Sequence, residues 1–244
     1  MMVRTYLWRL HETDKQEVTM NITWLGQAGL LFETGNITIM IDPYFSNCCE
    51  KHNQKLKRRI PIDKRFTEIK PDILILTHNH LDHTDPETIP YFVNENTNTR
   101  VILSENAHDF VKEMGGANND YIVFKDGTEW TEDNVKFVGV KAYHSENTAF
   151  GVIIEAEGKK YYVTGDTLYN RNIFKELPKD IYAVFLPING LGNNMNMADA
   201  VRFAEDCGAK FAVPTHFGMF DNIKPEDFMA ENRVIPEVYK AIPI

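Results

Sequence analysis

The stretch that most restricts what this chain can fold into is Thr77-His78-Asn79-His80-Leu81-Asp82-His83-Thr84-Asp85, which follows directly on the apolar run Ile73-Leu74-Ile75-Leu76. Entered from Lys70-Pro71-Asp72, the apolar run reads as a short buried strand. Open α/β sheets carry their sites in the turn where a strand leaves the sheet. Three imidazoles and a carboxylate occupy that turn. Histidine offers a neutral nitrogen and aspartate a hard anionic oxygen, both ligands for a divalent metal. From a tight turn, His78 and His80 can reach one ion, which leaves Asp82 and His83 to face a second. A single histidine there would read as solvated turn chemistry. The His-x-His-x-Asp-His run reads as a metal site.

The chain has 244 residues, 43% of them hydrophobic and 25% charged, so it suits one large globular domain or two intimately packed halves. Its net charge of -9 disfavours nucleic acid or an anionic membrane surface as a partner. Three cysteines, of which Cys48 and Cys49 are neighbours, make no disulfide framework. Cys207 falls on a helical pattern with Ala200, Val201 and Ala204 and is expected in the core. Val3 to Leu10 is too short and too charged for a signal segment, and nothing approaches a membrane span. A cytoplasmic protein is expected, acting on a small anionic molecule and compatible with a homo-oligomer.

Residues 1–20 read as an N-terminal arm and 21–244 as a single domain. Ile22 to Leu25, Leu30 to Glu33 and Ile37 to Ile41 read as strands, with turns at Gly26-Gln27-Ala28-Gly29 and Gly35-Asn36. The third ends in Asp42-Pro43, and Asp42 is expected to organise the neighbouring turns through hydrogen bonds rather than to ligate. Residues 46–66 lack a period but hold Lys51, Lys55, Lys57, Arg58, Arg59, Lys64 and Arg65. They are either a solvated loop or a flap that draws an anionic substrate inward, with Arg58 and Arg59 as its contacts. Asp85-Pro86 predicts a helix through about Val93, and Ser104 one that stops near Gly115-Gly116. Strands are predicted at Arg100 to Leu103, Tyr121 to Lys125, Val135 to Tyr143, Gly151 to Glu155, Tyr161 to Thr164, Ile181 to Leu186 and from Phe211. A helix is predicted from Met197 to Cys207. No internal repeat is visible by inspection.

One pattern recurs along the chain. Four strands end in a candidate ligand: the cluster at 78–83, His144, Asp166 and His216. His11, His52 and His108 fall in arms, loops or a helix and read as structural or solvent-facing, with His52 a weak substrate contact. Tyr169, Asn189 and Asn194 are candidates to line the pocket, against the plainer reading of turn chemistry.

THNHLDH at 77–83, His144, the GDT around Asp166 and His216 resemble the metallo-β-lactamase fold superfamily, from about Asn21 to Phe220. WLGQAG at 24–29, IDPYFS at 41–46, RRIP at 58–61, THNHLDHTDPET at 77–88, TGDTLYN at 164–170, the ING…NMNM stretch from Ile188 and PTHFGMF at 214–220 are similar to its L-ascorbate-6-phosphate lactonase-like branch. A related group of small metal-dependent hydrolases is similar over the same span. The resemblance implies an α/β (α+β) four-layer αββα sandwich, two mixed sheets face to face with helices outside. It also implies that His78, His80 and His144 hold one metal, that Asp82, His83 and His216 hold a second, and that Asp166 bridges them. The lack of a cysteine ligand points away from antibiotic hydrolysis, and His80, where flavo-diiron proteins carry glutamate, points away from oxygen chemistry.

Two divalent ions about 3.5–4 Å apart would share a water and lower its pKa, so that hydroxide attacks a lactone carbonyl or a phosphorus centre. Asp82 and Asp166 are the catalytic carboxylates of this reading. Zinc is the first expectation for the metal, with manganese or iron also suited to a nitrogen and oxygen site. The expected activity is hydrolysis of a small, anionic or phosphorylated lactone or ester. A phosphodiesterase or nuclease of the same fold is the alternative, and a non-catalytic binding protein is a third reading.

Overall fold

A computed structural model describes residues 20–244. The arm expected over 1–20 lies, but for Met20, outside the described residues, as does His11. Two six-stranded sheets make up the frame. The first contains β1 (Asn21–Gly26), β2 (Gly29–Glu33), β3 (Thr38–Ile41), β4 (Ile73–Leu76), β5 (Arg100–Leu103) and β6 (Asp120–Val123), side by side in that order. The second contains β7 (Glu129–Glu132), β8 (Val135–Lys141), β9 (Phe150–Ala156), β10 (Lys159–Val163), β11 (Ile181–Pro187) and β12 (Phe211–Thr215). Each sheet starts as an antiparallel meander and finishes as parallel strands, β3 to β6 in one and β10 to β12 in the other. The two halves therefore follow similar plans, with the pairing turning parallel one strand later in the second.

Side-chain chemistry explains the layers. In β4 all four residues are buried, as a strand covered on both faces requires. Ile73 and Ile75 point into the core shared by the sheets, while Leu74 and Leu76 point to a second cluster under the outer helix. That helix, α2 (Glu105–Gly115), buries Ala107, Val111 and Gly115. On the other sheet α3 (Met197–Cys207) buries Ala200, Phe203, Ala204 and Cys207, a stripe at helical spacing. Asn196 caps its start by accepting from Asp199 N at 3.0 Å, and Gly208 ends it in the left-handed conformation (φ 64°). The β9–β10 turn places both Glu157 (φ 53°) and Gly158 (φ 72°) at positive φ, as a tight hairpin demands. Chain after β12 returns along both first strands' neighbours: Tyr239 N donates to Trp24 O and Ile242 N to Ile22 O, each at 2.7 Å. Val234 N donates to Ala212 O at 2.9 Å. The free edges of β1 and β12 are covered in this way.

Three expectations need correction. The helix predicted from Asp85 to Val93 is a set of turns with a short 3-10 segment, Ile89–Tyr91. The capping carboxylate is present, with Asp85 accepting from Glu87 N at 2.9 Å and from the Thr88 hydroxyl, but Pro90 cannot continue an α-helix. Residues 46–66, read as periodless, contain α1 (Cys48–His52) and the 3-10 segments Gln54–Leu56 and Lys64–Glu68. Strand β7 was not expected; it is an edge strand whose residues alternate between exposed and half-buried. Among the described residues no helix is long and apolar enough to cross a membrane.

Candidate metal centre

The parallel registers bring the carboxyl ends of β3, β4, β10, β11 and β12 to one rim of the sandwich, where the meander strand β8 also ends. Asp42, the run 78–83, His144, Asp166, Asn189 and His216 all follow those ends. The polar rim is thus a consequence of strand polarity.

His78, His80 and His144 meet first. His78 Nε2 lies 3.0 Å from His80 Nδ1, which is 3.1 Å from His144 Nε2. Their outer nitrogens fix the tautomers. The Thr77 hydroxyl gives its proton to Asp42 Oδ2 at 2.6 Å, so at 3.1 Å it can only accept from His78 Nδ1–H. His144 Nδ1 has the Asn193 carbonyl at 3.3 Å and carries a proton there. Both rings therefore turn a lone pair towards His80. Burial holds His78 well below the ordinary histidine range, reinforced by the neighbouring His83; burial also lowers His144. Neutral imidazoles are the form that binds a metal.

Asp82, His83, Asp166 and His216 meet beside them. His83 Nδ1 donates to Asp42 Oδ2 at 2.8 Å. Its Nε2 is buried without a hydrogen-bond partner, 3.4 Å from Asp166 Oδ1 and 3.8 Å from Asp82 Oδ2. His216 Nε2 is 3.2 Å from both Asp82 Oδ2 and Asp166 Oδ2. Burial alone would lower both histidines, but the carboxylates override it: Asp166, Asp42 and Asp82 hold His83 well above its usual value, and Asp166 and Asp82 raise His216 to about 10. Burial would likewise raise Asp82 and Asp166, and the two histidines hold both below the usual carboxylate range instead. Positive charge is what this pocket demands. A divalent ion supplies it, and a lone imidazole nitrogen with no other partner is the atom to bind it. The donor atoms of His78, His80 and His144, of His78, His83 and Asp166, and of Asp82, His83 and His216 each fall within 4.8 Å of one another. Mixed nitrogen and oxygen donors of this kind suit zinc, manganese or iron.

Asp42 was expected to organise turns, and its partners are of that kind. It is almost wholly buried, accepts from Thr77 N at 2.8 Å, and holds the outer nitrogen of His83 directly and that of His78 through the Thr77 hydroxyl. Sequence reasoning missed Gln27. Its Nε2 donates to Asp82 Oδ2 at 2.8 Å and lies 3.1 Å from His216 Nε2, and its carbonyl accepts from His216 N at 2.8 Å. Gln27 (φ 51°) and His216 (φ 57°) both take left-handed backbone to do this. The polar residue inside the glycine turn of WLGQAG was the available signal.

A cavity of about 400 Å³ opens over the cluster, with His80, Asp82, Asp166 and His216 at its base and Lys55, Leu56, Leu191 and Phe220 among its walls. Asn189 and Asn194 are also in its lining. Arg58, Arg59, Tyr169 and His52 do not. Arg58 is spent on Ile60 O (2.6 Å), Tyr44 O (2.7 Å) and the Tyr239 hydroxyl (3.2 Å). Arg59 holds the Asn222 side chain, and Tyr169 packs on Phe174 and Phe203 with its hydroxyl on Asp206. The flap does present a cation to the cavity, Lys55, which makes no ion pair with a described residue. His108 is paired with Asp109 on the surface of α2.

Residues 38–217 match the profile of the beta-lactamase superfamily domain. The chain belongs to that superfamily. Relatives of this superfamily member include a UPF0173 metal-dependent hydrolase of Oenococcus oeni, 27% identical over 87% of this chain and 93% of the relative. A second, from Listeria innocua, is 29% identical over 86% and 92%. Among solved structures, the metallo hydrolase Igni18 of Ignicoccus hospitalis superposes with a TM-score of 0.73 at 20% identity, over 91% of this chain and 97% of that one. That likeness is one of fold.

Proposed function

We propose that this superfamily member is a metal-dependent hydrolase that uses two divalent ions on a small anionic lactone or ester, in the manner of the L-ascorbate-6-phosphate lactonase-like branch. The observation that carries the reading is the buried, unpartnered Nε2 of His83, facing two ionised carboxylates and flanked by a second set of three converging imidazoles. The name metal-dependent hydrolase carried by the relatives supports it. His78, His80 and His144 would hold one ion, Asp82, His83 and His216 the other, and Asp166 would touch both. When bound, such a pair supplies Lewis acidity and a water of lowered pKa.

The protein groups do the rest. Gln27 holds Oδ2 of Asp82 and so fixes the plane of the carboxylate, leaving Oδ1 to accept the proton of an attacking water. Asp42 keeps His78 and His83 in the ligating tautomer. Leu56, Leu191 and Phe220 give the cavity wall an apolar surface, and Lys55 draws in a single negative charge. One cation on the wall of a cavity of about 400 Å³ suits a small molecule better than a polynucleotide backbone.

The test is metal analysis of the purified protein, then a panel of sugar-phosphate lactones, phosphodiesters and short RNAs. The expected result is about two ions per chain and turnover of lactones or esters. His83→Ala should retain one ion, lose turnover by orders of magnitude and regain part of it in excess metal. Wild-type turnover by that variant with a single tight ion would replace the dinuclear reading with a mononuclear one.

A further inference from the structure

The loop Asn189–Asn196 touches one candidate ligand from each of three strands. Asn194 Nδ2 donates to Asp166 Oδ2 at 2.8 Å, the Asn193 carbonyl lies 3.3 Å from His144 Nδ1, and the Asn189 amide lies 2.9 Å from His216 Nδ1. The loop is closed on itself. Asn189 and Asn196 form a β-bridge, Gly190 N donates to Met195 O at 3.0 Å, and Asn194 N to Leu191 O at 3.2 Å. It is also tied down, because fully buried Met195 donates its N–H to Thr167 O at 3.0 Å, next to Asp166. Gly190 is at φ 66°, the left-handed backbone that favours glycine, and a Cβ there would sit a tight 3.1 Å from the Asn196 Cβ where the loop crosses itself.

The two asparagine amides, each with a buried and unpartnered Oδ1, differ in whether their orientation is fixed. Asn194 can be placed only one way round, since a carboxylate oxygen accepts and never donates. Asn189 stands with Nδ2 against His216 Nδ1 and with Oδ1 buried and unpartnered. His216 Nε2 is the nitrogen that faces Asp82 and Asp166, so an ion held there puts the ring proton on Nδ1. Half a turn of the Asn189 amide then lets Oδ1 accept from Nδ1–H and moves Nδ2 into the buried place that Oδ1 leaves.

We propose that this loop is the positioning device of both metal groups: Asn189 Oδ1 and the Asn193 carbonyl hold His216 and His144 as Nδ1–H tautomers, and Asn194 fixes the rotation of Asp166. The residues act through the ligands and need not touch substrate. The proposal rests on the two-metal reading above, and it gives that reading a control on each side of the bridge.

Chelator competition for zinc, site by site, tests it, with circular dichroism in the presence of chelator to confirm that each variant is folded. Asn189→Leu and Asn194→Leu should each weaken zinc binding by about 10–100-fold. Asn189→Asp presents only oxygens to His216 Nδ1 and should bind zinc at least as tightly as the wild type. In the zinc-loaded protein, nitrogen-15 shifts should show His216 and His144 protonated at Nδ1. Unchanged zinc affinity in both leucine variants, loss of zinc in Asn189→Asp, or a bare His216 Nδ1 would each overturn the proposal while leaving the two-metal reading in place. A wild-type chain that binds no zinc, manganese or iron would instead overturn that reading and the loop's role with it. Should Asn194→Leu fail to fold, the two Asn189 variants and the nitrogen shifts still decide.

Discussion

Replacing Asp42 by asparagine removes one charge and changes almost nothing in shape, and its effect on metal retention can be worked out atom by atom. Oδ1 still accepts from Thr77 N. The new Nδ2 occupies the place of Oδ2, which now accepts from the Thr77 hydroxyl at 2.6 Å and from His83 Nδ1 at 2.8 Å. The hydroxyl can rotate and accept from Nδ2, but it then no longer waits as a pure acceptor for His78. His83 cannot adapt while it ligates, because Nδ1–H would meet N–H. Losing that one charge-assisted bond costs about 1.5–3 kcal/mol, which is about 10–150-fold in affinity at the second ion. The first ion, touched only through Thr77 and His78, should weaken less. The backbone should tolerate the change, since Asp42 sits at φ 41° and asparagine accepts left-handed backbone well. Competition between the protein and a graded series of chelators measures both ions, and a melt in chelator reads the fold separately. Equal affinity for both ions in wild type and Asp42→Asn would refute the reasoning that links tautomer to ligation.

Further expectations concern the same rim. Asp166→Ala should lose at least one of two ions, and full metal content by elemental analysis would remove the bridging role. Lys55→Met should raise KM for an anionic substrate about two- to fivefold with kcat unchanged, the worth of one solvent-exposed ion pair of about 0.5–1 kcal/mol; Arg58→Met should instead lower Tm and leave KM alone. The pKa of His216, set by protein groups alone, is raised to about 10 from 6.5. A raised value stabilises the metal-free fold fully below 6.5, and that contribution is lost as pH climbs through about 10. Melts in chelator should therefore fall from neutral pH towards pH 10, while apparent metal affinity rises over the same window as ligand protons are given up; a metal-free Tm that is flat or rising there would contradict this.

Much of the rim was legible because ligands and strand ends coincide. A buried strand has a short apolar signature, and the residue after it must be polar if it meets solvent or an ion, so His78, Asp166 and His216 stood out in sequence. α2 was legible through Ser104 at its start and its terminal glycines, although the Ser104 hydroxyl makes no capping bond, and α3 through the helical spacing of Ala200, Ala204 and Cys207. What stayed hidden depended on long-range contacts. β7 is half exposed and owes its form to pairing with β8, which local composition does not record. Pro90 is a local signal, yet the strength of the Asp85 cap outweighed it in prediction. Arg58 and Lys55 are both cations of one flap, and only the folded chain shows that the first is bound to backbone carbonyls and the second faces the cavity. Gln27 was quoted within its motif, but its partner Asp82 lies 55 positions away.

The division of labour between the two halves follows from their similar plans. Each half ends in parallel strands, and parallel strands present all their carboxyl ends on one side. The first half gives the run 78–83 and Asp42, the second gives His144, Asp166 and His216, so neither half alone assembles either trio of donors. His78 and His80 need His144 from across the interface; Asp82 and His83 need His216. An ion bound at the rim is therefore a crosslink between the sheets as well as a reagent, and it stabilises the sandwich by mass action wherever it prefers the folded chain. Gln27 and the loop 189–196, one from each half, meet on His216, and between them they also hold Asp82, Asp166 and His144. The rim is held most firmly where the two halves meet, and a hydrolytic site there has its reacting groups fixed before any substrate arrives.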